Sequence, residues 1–418
     1  MPIRRTALAS GLRVVSERMP GSRSAAIGFF VRTGSRDEPP HLSGSSHFLE
    51  HLLFKGTTTR SARDIAEVFD AIGGSLNAYT AKESTVFHAR VLDRDLAVAV
   101  EHLSDMLRNS TLRRPDMEAE RQVILEEINM YEDAPDDIVH DRFQETLWPD
   151  HPLGRPILGT KEAILGATRD QVHRFYRKHY VPGNLVVAAA GNVDHDLLVR
   201  LLRRHLEAGR VSGGVPVARE RATGTPPAPS GSSRIFRRKT EQAHLVLGTN
   251  APTRTDPDRF AFGIANTALG GGMSSRLFQE VRERRGLAYS VYSHHEMYGD
   301  AGLVSAYAGT TPARAQEVVD LIRAEIADLA AGRLGAAEFE RAQTQTLGQI
   351  LLSLEHPSSR MSRLGRSEIS GGEILTVPQI LRRIERTTLD DARAAAARVF
   401  AQPLTLTVLG PFAKGAIA

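Results

Sequence analysis

Thr168-Arg169-Asp170-Gln171-Val172, followed by Phe175 and the apolar run Leu185-Val186-Val187-Ala188-Ala189-Ala190-Gly191, has a near copy late in the chain. The copy reads Thr388-Leu389-Asp390-Asp391-Ala392, then Val399-Phe400, then Leu404-Thr405-Leu406-Thr407-Val408-Leu409-Gly410. Each stretch has the apolar spacing of an amphipathic helix feeding a buried strand. Between the copies, residues 210–233 are rich in Gly, Pro, Ser and Thr, with Pro226-Pro227-Ala228-Pro229-Ser230-Gly231 at the centre and no apolar period. Such a composition reads as a linker. The pattern predicts an internal duplication, with one domain at 1–209 and the second at 234–418. Length agrees, since 418 residues exceed what one ordinary core organises. Within the halves, alternating segments such as Thr85-Val86-Phe87-His88-Ala89-Arg90 are interspersed with helical ones such as Ala62 to Ile72, where Ile65, Val68, Phe69 and Ile72 form one stripe. The expected fold class is α+β: two homologous domains, each a mostly antiparallel sheet with helices packed on one face.

The first half carries His47-Phe48-Leu49-Glu50-His51 in a segment with helical signals. Ser45 and Ser46 can start a helix, Leu49, Leu52 and Leu53 supply an apolar seam, and Gly56 can stop it. Histidines four apart lie about one turn apart on one helical face, so both imidazoles can reach a single ion. Glu50 shares that arc and stands beside the ion rather than on it. There a carboxylate can take a proton from an activated water and pass it to a leaving amine. This order inverts His-Glu-x-x-His and is itself a zinc-peptidase signature. A purely structural helix turns its leucines inward and has little use for two histidines and a glutamate together.

Catalytic zinc usually takes three protein ligands and leaves one position to water, so a third donor is needed. The segment from Pro115 to Met130 offers it. Pro115 suits a first helical position, Val123, Ile124 and Ile128 form the apolar seam, and Glu120 and Glu127 bracket that seam. Carboxylates turned toward a core need partners. Glu127 is therefore read as the third ligand and Glu120 as the group that orients a histidine. Glu118, Glu126 and Glu132 lie elsewhere around the helix and read as solvated charges. The expected cofactor is one Zn²⁺ per chain, a donor set that also accepts Mn²⁺ or Co²⁺.

With these residues in view, His47-Phe48-Leu49-Glu50-His51-Leu52-Leu53-Phe54-Lys55-Gly56-Thr57 and the later Glu120 and Glu127 resemble the pitrilysin/insulinase metallopeptidases, most closely the short processing-peptidase branch. The resemblance takes in Asn77-Ala78-Tyr79-Thr80 and His151-Pro152-Leu153-Gly154-Arg155-Pro156-Ile157-Leu158-Gly159 and runs over nearly the whole chain. It implies that His47, His51 and Glu127 bind zinc and that Glu50 is the catalytic base. It also singles out Arg282 and Tyr289, in a helix-to-strand passage through Gly286, as substrate-contacting residues. Guanidinium and phenol are suitable donors to a developing oxyanion.

The second half lacks the metal motif. The repeat extends to the Glu120 helix, where Glu120-Arg121 corresponds to Glu340-Arg341, so Leu347 stands at the position of Glu127. His294-His295-Glu296 is not a second site, because adjacent strand residues face opposite ways. His88 reads as structural, and Gly270-Gly271-Gly272 as a turn.

Composition narrows the remaining choices. A chain with 41% hydrophobic and 24% charged residues is an ordinary globular protein. With no cysteine there are neither disulfides nor thiolate ligands, which fits a reducing compartment. No apolar run reaches signal-peptide or membrane-span length, so the expected location is the cytoplasm, with no membrane partner. Net charge is +4 with basic residues scattered among acids; the one dense cluster, Arg234, Arg237, Arg238 and Lys239, suggests a solvated edge rather than a nucleic-acid site. The expected function is a zinc metalloendopeptidase acting on peptides or unfolded segments. Substrate is expected along the edge from Ser75 to Thr80, against Asn77 and Ala78, as an added strand. The alternative is a non-catalytic scaffold subunit, for which loss of a ligand or of the base is the expected mark. By analogy with longer relatives of four domains, a homodimer is expected, with a heterodimer with a related subunit as the competing arrangement.

Overall fold

The computed structural model describes residues 3–207 and 226–417, so most of the expected linker, residues 210–225, lies outside the described residues. The chain forms two compact units, and neither is continuous in sequence. The first comprises residues 1–129, 155–222 and 352–376, and the second 130–154, 223–351 and 377–418.

In the first unit, strands Ile3–Ala7 (β1), Arg13–Arg18 (β2), Ser24–Val31 (β3), Ser75–Thr80 (β4), Thr85–Leu92 (β5) and Leu185–Gly191 (β6) form one sheet in the order β1-β2-β6-β3-β5-β4. Only the β2–β6 pair is parallel. β3 is apolar on both faces, as a strand with both sides covered must be. Ala25, Ile27, Phe29 and Val31 join the main core, with Phe48, Leu49 and Leu52 of helix Ser45–Leu53 (α1), Phe69 of Ala62–Ala71 (α2) and Leu103 of Leu96–Asn109 (α3). Ala26 and Phe30 face the other way and meet Met361 and Leu364 of the single helix Pro357–Ile369. A Cβ on Gly28 would lie 2.5 Å from Met361 Sδ, so this glycine lets the helix sit close. Buried Glu17 fixes the same helix by accepting from Arg360 and Arg363, each at 2.7 Å.

The second unit repeats this plan. Strands Ser233–Arg237 (β7), Ala243–Asn250 (β8), Ala288–Met297 (β9), Gly302–Thr310 (β10) and Thr405–Gly410 (β11) run in the order β7-β11-β8-β10-β9, and only β7–β11 is parallel. Strand for strand this is β2-β6-β3-β5-β4, so the two domains are homologous and β1 is an addition to the first. Its sheet also carries a lone helix on the second face. Phe143 of helix Pro135–Leu147 packs with Val246, Leu303, Tyr307 and Leu409, and approaches within 2.8 Å of where a Cβ on Gly248 would stand. The copied segments named at the outset behave alike: Thr168 and Thr388 each close a capping box, with Gln171 and Asp391, and each following helix feeds a central strand.

The copies align two residues away from the expected pairing of Glu120-Arg121 with Glu340-Arg341. In helix Arg114–Glu132 (α4) Met117, Glu120, Arg121, Ile124 and Ile128 are buried, whereas in helix Ala336–Ser353 Glu340 and Arg341 are exposed and Phe339 and Ala342 are buried. Hydrogen bonds fix the register. Arg121 donates to the carbonyls of Ile164 and of Ala167 (2.9 Å), while Gln343 donates to those of Ile384 (2.8 Å) and Thr387 (3.1 Å), in both cases just ahead of the capped helix. Ala342 and Gln349 thus occupy the positions of Glu120 and Glu127. Among the described residues, no helix is long and apolar enough to cross a membrane.

Candidate metal centre

The motif helix α1 begins differently from the sequence expectation. Ser45 and Ser46 do not cap it; the N-cap is Gly44, in the left-handed region at φ +92°, with no side-chain cap. Buried Glu38 supplies the missing acceptor, taking the backbone N–H groups of Gly44 (2.7 Å) and Ser46 (2.6 Å). Burial pushes the Glu38 carboxyl up to about 7, against the lowering effect of those hydrogen bonds and of Arg155. Gly44 is required on two counts. Its φ suits glycine, and a Cβ there would stand 2.5 Å from the carbonyl oxygen of Leu158, on the segment quoted above for its family resemblance. The helix stops at Leu53, three residues before Gly56.

α1 presents His47, Glu50 and His51, and α4 brings Glu120 and Glu127 to meet them. Ligand atoms of His47, His51 and Glu127 lie within 4.8 Å of one another. Glu127 Oε2 is 3.7 Å from His47 Nε2 and 3.5 Å from His51 Nε2. Two donors about 2.0–2.1 Å from one tetrahedral zinc lie about 3.3 Å apart, so the three residues fit that ion with little movement. The rings of His47 and His51 meet edge to face at 4.6 Å. His47 is held well below the usual imidazole range, at about 4, by burial and by the neighbouring His51; a neutral ring is the form that ligates metal. Its Nδ1 is buried without a hydrogen-bond partner. His51 is better anchored, since its Nδ1–H donates to Glu120 Oε2 at 2.9 Å, which leaves Nε2 free as a donor to a metal.

Glu50 is bound elsewhere. Thr80 Oγ1, at the end of β4, donates to Glu50 Oε2 at 2.7 Å, and the Thr80 backbone N–H adds to it. Burial raises the carboxyl above its ordinary value, opposed by these hydrogen bonds and by His51. Sequence reasoning places Thr80 at the end of the expected substrate edge and not on Glu50, although strand parity contains the signal. Leu76 and Ala78 face the helix layer, so Thr80 does as well.

Val123, expected in the seam of α4, is instead 43% exposed, and Met117 takes its place in the core. Glu118 and Glu126 are exposed as expected, Glu118 pairing with Arg121. Pro115 is the second residue of the helix rather than the first. Asn77 and Ala78 lie on β4, which is an edge strand, and Asn77 Oδ1 accepts from the N–H of Ala78 at 2.8 Å.

In the second unit, Arg282 is the penultimate residue of the helical turn Phe278–Glu283, and Tyr289, 80% exposed, is the second residue of β9, after Gly286 at φ +60°. The guanidinium of Arg282 stacks on the rings of Phe278 (4.8 Å) and Tyr289 (4.5 Å), and Nη1 donates to the Tyr289 carbonyl at 3.0 Å. His294 and His295 face opposite ways: His294 lies 3.5 Å from Glu296, while His295 stands edge-on to Phe262.

Comparison with known proteins identifies the family. Residues 13–161 match the family model described as Insulinase (Peptidase family M16), and residues 166–346 match that of the Peptidase M16 inactive domain. An uncharacterized zinc protease of Streptomyces coelicolor is 49% identical over 98% of this chain and 90% of its own length. The uncharacterized zinc protease YmxG of Bacillus subtilis is 39% identical over 98% of both chains. Two solved structures share the fold: a Helicobacter pylori protease (TM-score 0.89, 23% identity, 98% of this chain and 99% of the other) and a peptidase M16 inactive domain from Pseudomonas fluorescens (TM-score 0.89, 19% identity, 99% and 98%). The chain belongs to the M16, or insulinase, family of peptidases.

Proposed function

We propose that the chain is a zinc metalloendopeptidase that cleaves peptides or unfolded polypeptide segments. The observation that carries this reading is the convergence of His47, His51 and Glu127 while the fourth motif residue, Glu50, is held away on Thr80. His47, His51 and Glu127 would hold one zinc ion, which when bound lowers the pKa of water and polarises a carbonyl. Glu50 is the general base. Thr80 occupies Oε2, so Oε1 accepts the proton of the attacking water and returns it to the leaving amine nitrogen. Burial strengthens its hold on that proton. Glu120 orients His51. The β4 edge, with Asn77 and Ala78, offers backbone groups to an extended substrate; Asn77 releases the Ala78 N–H when a substrate strand pairs there.

Arg282 and Tyr289 enter as substrate contacts by family resemblance, and a homodimer as the assembly that supplies four domains. Mixing Glu50→Gln with Tyr289→Phe chains regains activity if sites form between subunits; a fully active monomer by light scattering contradicts the dimer.

Casein or an unfolded peptide incubated with the purified chain tests the activity. The expected result is cleavage that a chelator stops and added zinc restores. A chain that binds zinc and leaves both substrates whole is a non-catalytic subunit.

A further inference from the structure

We propose that Lys55 is a positioning residue of the metal centre, holding Glu120 so that its other oxygen faces His51. The proposal rests on the metal-site reading above. Lys55 Nζ lies 2.6 Å from Glu120 Oε1, and His51 Nδ1 lies 2.9 Å from Glu120 Oε2, so one carboxylate bridges the two. Glu120 is 5% exposed and has these two groups as its polar partners. The adjacent cation, Arg121, is engaged with Glu118 and with the carbonyls of Ile164 and Ala167.

The backbone of Lys55 is itself fixed. Its N–H donates to the Leu52 carbonyl at 3.1 Å as α1 ends, Gly56 follows at φ +123°, and Thr57 donates to Asp105 at 2.7 Å while accepting from the N–H groups of Thr59 and Arg60. From this hydrogen-bonded turn the Lys55 side chain, 37% exposed, reaches Glu120 Oε1. The residue type fits that task. Of 53 basic residues only six are lysine, yet a lysine stands here. An ammonium is a compact charge that can sit on one oxygen, whereas a guanidinium fork spans both and would draw Oε2 away from His51. Held in this way, Glu120 fixes the His51 tautomer with its proton on Nδ1, and Nε2 is left to the metal.

The test is zinc affinity of the full-length, metal-stripped chain, measured by competition with a chromophoric chelator. Lys55→Met should weaken zinc about tenfold, and Glu120→Gln about 10- to 100-fold, the range for outer partners of metal ligands. The double variant should bind no more weakly than Glu120→Gln alone, because Lys55 acts through Glu120. Melting of the metal-free variants separates positioning from folding: the Lys55→Met midpoint should stay well above the assay temperature, even though buried Glu120 loses a partner. Lys55→Gln, which keeps a donor without the ammonium, replaces it if that midpoint does not. Wild-type affinity in both Lys55 variants overturns the proposal, as do Lys55 and Glu120 effects that multiply. A wild-type chain that binds no zinc overturns the metal site itself, a distinct outcome.

Discussion

Helix α4 and its counterpart Ala336–Ser353 do the same structural work with different residues. Arg121 and Gln343 each tie the helix to carbonyls ahead of a capped helix, yet Glu120 and Glu127 in one copy are Ala342 and Gln349 in the other. The scaffold bond survived a change of side chain. The two carboxylates occur only in the copy where α1 supplies two histidines, so the shared scaffold does not depend on them.

That contrast can be broken first at the metal. His47→Ala or Glu127→Ala should reduce bound zinc from one per chain to a trace by elemental analysis, whereas Gln349→Ala should leave it unchanged. Zinc retained in Glu127→Ala and lost in Glu126→Ala would move the third ligand by one residue.

Backbone positions come next in size. Gly44→Ala combines a left-handed φ with a close approach to Leu158 O and should cost about 2–4 kcal/mol in urea unfolding. Gly73→Ala, also at positive φ but with open space around it, should cost about 1 kcal/mol. On the repeated strands, Gly248→Ala would press on the rigid carbonyl of Val304, and Gly28→Ala on the pliable Met361; the former should be the more damaging of the two.

Smaller still is the anchor itself. Arg121→Ala should destabilise by about 2–3 kcal/mol and Gln343→Ala by about 1–2 kcal/mol, reflecting charged against neutral donors to buried carbonyls. Equal losses would mean that charge adds nothing at this position. Smallest of all, Thr168→Ala and Thr388→Ala should each cost about 1 kcal/mol, because both boxes are exposed and share one geometry.

The pattern of what could be read from sequence follows from the range of the forces involved. Local signals were legible: the repeated amphipathic helices and the strands they feed, the stripe of α2, and the pentapeptide whose spacing alone puts His47 and His51 on one face. Glu120 and Glu127 were legible because a helix converts a seven-residue interval into two full turns on one side. Contacts made across the fold were not. Glu38 caps α1 from a loop, Thr80 reaches Glu50 from a strand edge, and Lys55 meets Glu120 from the turn that follows α1, pairings set by packing rather than by sequence distance. The exposure of Val123 was missed because its apolar side chain fits either face of the helical wheel, and burial of Arg121 was hidden by its charge until its carbonyl partners were visible. The lone helix on the far face of each sheet had no sequence signal beyond amphipathicity, and it comes from outside the strand repeat it covers.

The central claim is that the first copy holds zinc through three residues and hydrolyses peptides through a fourth. Glu50→Gln preserves shape and removes basicity, so zinc content and peptide turnover measured on one preparation separate the two roles. The expected result is one zinc per chain with turnover reduced at least about a hundredfold. Wild-type turnover, or zinc lost along with activity, would contradict the assignment of Glu50 as the base that stands beside the metal rather than on it.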